Sequence, residues 1–307
     1  MNYPQKLPPH DIFNFSSAKV LAKSGSSRTK SYYHRLGSFL PYLPMHSHDF
    51  YEINIITSGN SMHYINDQIY YAPQGTVFVI PPRYKHGYFS DEDTEIFHLI
   101  LDNTFIASYN PLLTSLKGYS FLFDIEPILR RRNKMNLFLI LNAAELEYII
   151  PVIERLCSYE NKTGKANTLT KEFLALNFIA ELCNSHIENY PEKANGIPEK
   201  TNDIVKTMEY ISRNYKEKIS FDDLAQKNNM SYTTFFRHFK KTCSMTPSQY
   251  LTDCRINEAI NMMNQKKYTL TEIALSCGFY DASHFTKSFI SVKGYSPSDY
   301  LTSINNI

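Results

Sequence analysis

The sequence predicts an α+β protein of two domains: a jelly-roll-like β-barrel with a helical segment after it, then an all-α domain. Three observations carry that expectation. Between Tyr32 and about Leu101, short apolar runs alternate with Gly, Pro and Asn-Asp punctuation. Beyond residue 143 the apolar spacing becomes that of helices. The C-terminal part then repeats one pattern twice.

Composition sets the frame. The chain has 307 residues, 43% hydrophobic and 20% charged, which is a globular balance with room for two domains. No apolar run approaches the length of a membrane span. The opening Met-Asn-Tyr-Pro-Gln-Lys-Leu-Pro-Pro lacks the apolar core of a secretory signal, so a cytoplasmic protein is expected. Five cysteines without a CxxC pair read as reduced thiols. Residues 1–190 carry a net charge of −1 and residues 191–307 carry +3, which permits nucleic-acid binding by the C-terminal part without establishing it.

The strand-like runs are Glu52-Ile-Asn-Ile-Ile-Thr57, Thr76-Val-Phe-Val-Ile80 and Ile96-Phe-His-Leu-Ile-Leu101. Met62–Ile65 and Ile69–Tyr71 flank Asn66-Asp67-Gln68, a hairpin connection. His46-Ser-His48-Asp-Phe-Tyr-Glu52 is HxHx₃E, with Gly59 after it; Gly75, Pro81 and His86 follow at set intervals. These residues resemble the two cupin motifs, in which three histidines and a glutamate hold a metal. Two departures stand in the second motif, where Arg83 replaces a glycine and Ser90 an asparagine. Strand parity would turn His46, His48 and Glu52 into one barrel.

Ala143–Cys157 places Leu146, Ile149, Ile150, Ile153 and Leu156 on one helical face. In Thr168–Glu188, Leu169, Phe173, Leu176, Ala180, Cys183 and Ile187 recur at steps of four and three, as an a/d seam does. The seam is too short for a free coiled coil, so it packs on its own barrel, on a second subunit, or on both. A homodimer through the 143–188 helices is the expectation. Asn189–Lys200, with two prolines, a glycine and solvated charges, reads as a linker. The boundaries are then 1–188 for the barrel with its helices, 189–200 for the linker and 201–307 for the helical domain.

In the repeat, Leu224-Ala225 matches Ile273-Ala274 and Met230 matches Phe279. Phe235 and Phe239 match Phe285 and Phe289, and Thr246–Thr252 matches Ser296–Thr302. Each copy reads as helix, tight turn, helix: Phe221–Lys227 and Tyr232–Lys241 in the first, Thr271–Ser276 and a helix capped by Asp281 in the second. The paired phenylalanines face inward. Thr233, Thr234, Phe236, Arg237 and Lys240, and Ser283, Thr286 and Lys287, are left outward, with Tyr232 and His284 beside them. Short hydroxyls and cations at the front of an exposed helix suit base edges and phosphates of double-stranded DNA.

Ile273-Ala274, Gly278-Phe279, Asp281, Phe285, Lys287, Phe289, Gly294, Ser296-Pro297 and Tyr300 resemble the tandem helix-turn-helix domain of AraC/XylS-type transcription regulators. Tyr250-Leu251, Arg255-Ile256, Ala259 and Met262-Met263 resemble the helix that joins its two units. Ser244 stands where the first unit would have a glycine. The resemblance implies a DNA-binding regulator whose barrel takes a small effector, for which carbohydrate is one class, and which needs no catalytic residue. On that basis His46, His48, Glu52, Arg83 and His86 are expected to line an effector pocket, without a metal cofactor. A pocket with a divalent metal at His46, His48, Glu52 and His86 is the second reading. A metal-dependent cupin enzyme with a helical appendage is the third.

Overall fold

The computed structural model describes residues 28–37, 42–65, 68–90, 92–133, 137–189 and 199–305. Asn66-Asp67 and most of the expected linker, 190–198, lie outside these. By its contacts the chain divides into one compact unit of Met1–Phe105 and Ser115–Lys193 and another of Ile106–Thr114 and Ala194–Ile307.

The first unit is built on β1 (Thr29–Leu36), β2 (Tyr42–His46), β3 (Tyr51–Ser58), β4 (Asn60–Ile65), β5 (Gln68–Pro73), β6 (Val77–Ile80), β7 (His86–Phe89) and β8 (Thr94–Leu101). They form two antiparallel sheets, ordered β1-β8-β3-β6 and β2-β7-β4-β5. That order is the jelly roll, two interlocked Greek keys. The expected hairpin is β4–β5, with Ile65 opposite Gln68. The near-continuous apolar run of β3 has a physical reason. Glu52, Asn54 and Ile56 alternate with Ile53 and Ile55, and all five are buried because helices cover the outer face of that sheet.

After α1 (Asn103–Leu113), a π-helical turn (Phe121–Ile125) runs into α2 (Glu126–Asn133). The π-helical turn and α2 close the side of the sandwich where β5 and β6 are edge strands. Tyr70 Oη on β5 donates to Arg130 O at 2.5 Å, and Arg130 Nη2 donates to Val79 O on β6 at 2.6 Å. An edge strand with unpaired carbonyls is thereby covered.

α3 (Ala143–Ser158) starts with a capping box between Asn142 and Glu145 and buries Leu146, Ile149, Ile153 and Leu156, as the sequence predicts. α4 (Lys165–Asn189) has more than one apolar face. Its core face is Ala175, Phe178, Ile179, Leu182 and Cys183, with Phe178 edge-on to Phe97 of β8. Of the predicted seam, only Cys183 is on that face. Leu169, Phe173 and Ile187 are exposed, and Leu176 and Ala180 half-buried. The helix carries two adjacent apolar stripes, and heptad spacing picked out the one that does not pack on the barrel.

The second unit contains α5 (Glu199–Arg213), α6 (Phe221–Lys227), α7 (Tyr232–Cys243), α8 (Pro247–Asn264), α9 (Leu270–Ser276), α10 (Ala282–Lys293) and α11 (Pro297–Asn305). The repeat is one backbone design used twice. Met230 N donates to Ala225 O at 3.0 Å and Phe279 N to Ala274 O at 3.0 Å. Asn229 (φ 53°) and Gly278 (φ 80°) make the same left-handed turn, and Ser244 (φ 59°) and Gly294 (φ 83°) end the second helix of each copy. Ser244 therefore keeps the backbone of the glycine it stands for, at the steric cost of a side chain in that region. Ser220, Ser231, Thr269 and Asp281 cap α6, α7, α9 and α10 as side-chain acceptors.

Two substitutions test this design. A Cβ on Gly278 would lie 2.6 Å from Lys216 O, on a backbone that only glycine adopts freely. Gly278→Ala is expected to cost about 2–4 kcal/mol in denaturant unfolding, and a cost near zero would contradict the turn. Ser244→Gly is expected to raise stability by about 1 kcal/mol.

Candidate functional site

The buried polar centre of the first unit forms around Glu52. His46 ends β2 and His86 begins β7, where they are paired across the sheet, while Glu52 comes from β3 of the opposite sheet. His48 lies on the bend between β2 and β3, so HxHx₃E does not run along one strand as parity had it. The chain reverses between the sheets instead, and that reversal brings the histidines over Glu52.

His48 Nε2 and His86 Nε2 each lie 3.0 Å from Glu52 Oε2, and His98 Nδ1 on β8 lies 2.6 Å from Oε1. Burial alone would raise the Glu52 carboxyl, but the imidazoles of His48, His86 and His98 outweigh it and hold the group well below the carboxylate range. Burial pushes His86 down to about 4 and also lowers His46. Burial thus favours the neutral form of both rings.

The other ring nitrogens decide what these side chains can do. His46 Nδ1 lies 2.9 Å from Pro44 O, His48 Nδ1 2.9 Å from Phe50 O and His86 Nδ1 3.4 Å from Tyr84 O. A carbonyl only accepts, so a ring bonded to one carries a proton on Nδ1, and its Nε2 either carries a second proton or offers a lone pair. The Nε2 atoms of His48 and His86 meet a carboxylate oxygen, which is an acceptor. Acceptors gathered at one point need a positive charge among them, a proton or a metal ion. His46, Glu52 and His86 offer ligand atoms within 4.8 Å of one another. Anchoring the second nitrogen on a carbonyl is how metal-binding histidines are oriented. The set therefore fits a divalent ion such as zinc, iron, manganese or nickel, held by His46, Glu52 and His86 with His48 beside them. Such an ion would supply a Lewis-acidic point for an oxygen of a small molecule.

Arg83 does not join this group. It sits at φ 68° with its side chain exposed and 3.3 Å from Asp49, and its backbone N–H donates to His48 O at 2.7 Å. The interior instead holds residues that the motif did not mark. Tyr32 stacks on His98 (4.8 Å, 4°), His63 stacks on Tyr88 (4.0 Å, 6°), and Asn54 Nδ2 donates to Tyr88 Oη at 2.9 Å. Burial keeps His63 well below the usual imidazole range. His63 and His98 were legible as polar residues at inward positions of apolar strands; Arg130 gave no such signal.

In the second unit, α7 and α10 are the second helices of the two copies. Tyr232, Thr233, Arg237 and Lys240 are exposed on α7, and Ser283, His284 and Lys287 on α10. Thr234 is half-buried, and its N–H and hydroxyl meet the Ser231 cap. Thr286 is half-buried and donates to Ala282 O. Phe236 is not the outward ring expected of it: it is half-buried, stacked on Tyr232 at 4.3 Å and edge-on to Phe221. Spacing from the inward Phe235 and Phe239 could not foresee that α6 and Tyr232 would enclose it. Burial and the charges of Lys200, Arg237 and Lys241 lower His238, marking a positive field along α7. Lys200, Lys241 and Tyr280, 87% exposed before the α10 cap, join the candidate face.

Comparisons with known proteins agree with this division. The family model described as an AraC-like ligand binding domain matches residues 31–141, and one described as a helix-turn-helix domain matches 224–303. The chain is 27% identical over 248 residues to the HTH-type transcriptional activator RhaS of Pectobacterium carotovorum, covering 80% of this chain and 83% of that one. It is 25% identical to the activator RhaR of Mannheimia succiniciproducens, covering 85% and 88%. Among solved structures, ToxT from Vibrio cholerae aligns at 14% identity and a TM-score of 0.38, covering 91% of this chain and 99% of that one.

The fit to a cation has a direct test. Metal-stripped protein titrated with Zn²⁺ is expected to bind a single ion and to melt at a higher temperature, because site binding adds to folding energy. His86→Ala is expected to lose both effects. An unchanged melting temperature and no binding by calorimetry in the wild type would contradict the fit.

Proposed function

The chain belongs to the AraC/XylS-type transcription regulators, effector-responsive DNA-binding proteins with a ligand-binding jelly roll and a helix-turn-helix region, and we propose how its parts divide that work. The barrel around Glu52 binds a hydroxylated small molecule of the carbohydrate class. Tyr232, Thr233, Arg237, Lys240, Ser283, His284 and Lys287 meet DNA, Thr234, Phe236 and Thr286 supporting them from behind. The protein acts without catalysis, in the cytoplasm, and by analogy with its relatives as a transcriptional activator. Residues 1–188 form the sensing and dimerising part, 189–200 the linker and 201–307 the DNA-binding part.

The observation that carries this reading is the repeat. Two copies with the same capped, left-handed turn each expose a basic second helix. Paired units suit successive turns of one duplex face. The alternative, a metal-dependent cupin enzyme with a helical appendage, shares the Glu52 site but gives the repeat no task.

The homodimer is part of the proposal. Leu169, Phe173 and Ile187 on α4 are 47%, 56% and 41% exposed, and large apolar side chains aligned on one helix face are a seam without its second half. Effector binding would bias how two subunits hold their DNA-binding parts, which is a shift between pre-existing states.

Two outcomes follow. Arg237→Ala and Lys287→Ala are each expected to weaken operator binding by about 1–3 kcal/mol where a base contact is lost, or to flatten the salt dependence where a phosphate contact is lost. Unchanged affinity and salt slope in both would remove the DNA assignment. Phe173→Glu is expected to yield monomers by light scattering, since a charge would be buried in the seam. A dimeric Phe173→Glu protein would place the interface elsewhere.

A further inference from the structure

The barrel interior contains a second polar group that the Glu52 centre does not use. Arg130 is fully buried, with its guanidinium 5.1 Å from the centre of the Phe78 ring. Phe78 belongs to the interior core with Ile56, Ile65, Tyr70 and Tyr88. Nη2 is spent on Val79 O, but Nη1 has no hydrogen-bond partner. Nε lies 2.9 Å from Glu126 Oε1 at ion-pair distance without the alignment of a hydrogen bond. Around the same ring stand His63, 4.2 Å away with both nitrogens unpartnered, and Asn54, which faces Phe78 across β3–β6 with Oδ1 unpartnered.

Buried polar groups are almost always hydrogen-bonded, and a guanidinium with idle N–H groups beside idle acceptors is costly unless something else takes them. Glu126 is a weak permanent partner. Burial pushes its carboxyl up to about 7, which the adjacent Arg130 only partly offsets.

We propose that Arg130 anchors the carboxylate of a hydroxylated acid bound inside the barrel, and that Glu126 is the placeholder this carboxylate displaces. The proposal rests on the first unit being the effector-binding domain. A guanidinium presents parallel N–H groups in one plane, which match a carboxylate in two hydrogen bonds. His63 and Asn54 add a mixture of donors and acceptors, which suits hydroxyls because each both gives and takes. The faces of Phe78 and of the His63–Tyr88 stack suit the apolar side of a sugar-like skeleton. Arg83, turned outward against Asp49, leaves the anion-binding role inside the barrel to Arg130. Glu126 opens α2, directly after the π-helical turn, so its displacement acts on the element that closes the β5–β6 edge.

The test uses the full-length protein, with gluconate, galacturonate and tartrate against glucose, galactose and mannitol at matched pH and ionic strength. Thermal shift and calorimetry are the readouts. The acids are expected to raise the melting temperature and the neutral compounds to leave it unmoved. Arg130→Gln should abolish the shift, Arg130→Lys should weaken acid binding at least tenfold, and Glu126→Gln should tighten it by removing the competitor. Should Arg130→Gln not fold, the other two variants still decide the matter. A shift with the neutral compounds alone, kept in Arg130→Lys, overturns the anchor and leaves the effector reading standing. No shift with any of the six overturns the anchor. Weaker acid binding in Glu126→Gln overturns the placeholder.

Discussion

A carboxylate buried between two sheets constrains the first unit more than any other group. Glu52 is 2% exposed and comes from one sheet; His46 and His86 come from the other, His48 from the bend between them, and His98 from the neighbouring strand. A charge in that position is tolerable only when paired and hydrogen-bonded. The strands must therefore keep a register that holds the ring nitrogens of His48, His86 and His98 at 2.6–3.0 Å from the carboxylate. The aromatic stacks of Tyr32 on His98 and Tyr88 on His63 fix the rings in turn. A barrel centre built this way sets a few polar groups among aromatic faces, which is the environment a small oxygen-rich ligand needs.

The second unit depends on a different constraint, the left-handed turn. Gly278 lies against the carbonyl of Lys216, and Arg255 on α8 holds the same loop through Tyr215 O at 2.7 Å and Glu217 O at 3.1 Å. Turn and loop together set the pitch of α10 against α9. The first copy achieves its turn with Asn229 and ends its second helix with Ser244, so it reaches the same geometry with more backbone strain.

Much of this was legible in the sequence, and the failures have physical causes. Helix caps at Ser220, Ser231 and Asp281 are local chemistry, and the structure has them where the sequence placed them. Periodicity found α3 and its core face, and the alternation of short apolar runs found a jelly roll. In α4 it marked the outward stripe and missed the one that packs on the barrel, because a helix apolar on two neighbouring stripes satisfies both a 3.5 and a 3.6 repeat over so short a length. The cupin-like spacing located His46, His48, Glu52 and His86 but assigned their convergence to strand parity, when a chain reversal produces it. Motif spacing places Arg83 at the mouth of the pocket; its left-handed backbone leaves the side chain exposed beside Asp49. Arg130 was invisible because its role depends on α2 closing a sheet edge, a long-range fact with no local pattern. The outward seam of α4 marks where the fold of one chain stops accounting for its own apolar residues.

The claim on which the barrel reading rests is that His46 and His86 leave Nε2 unprotonated, as ligands of a cation beside Glu52 must. Long-range nitrogen–proton NMR correlation of the histidine rings in metal-stripped protein measures this directly, with His46→Gln and His86→Gln variants supplying assignments. The account predicts neutral rings protonated at Nδ1 for both His46 and His86. Protonation at Nε2 in either ring would show that the histidines donate to Glu52 as ordinary core partners, and the case for a cation-binding, ligand-ready centre would be contradicted.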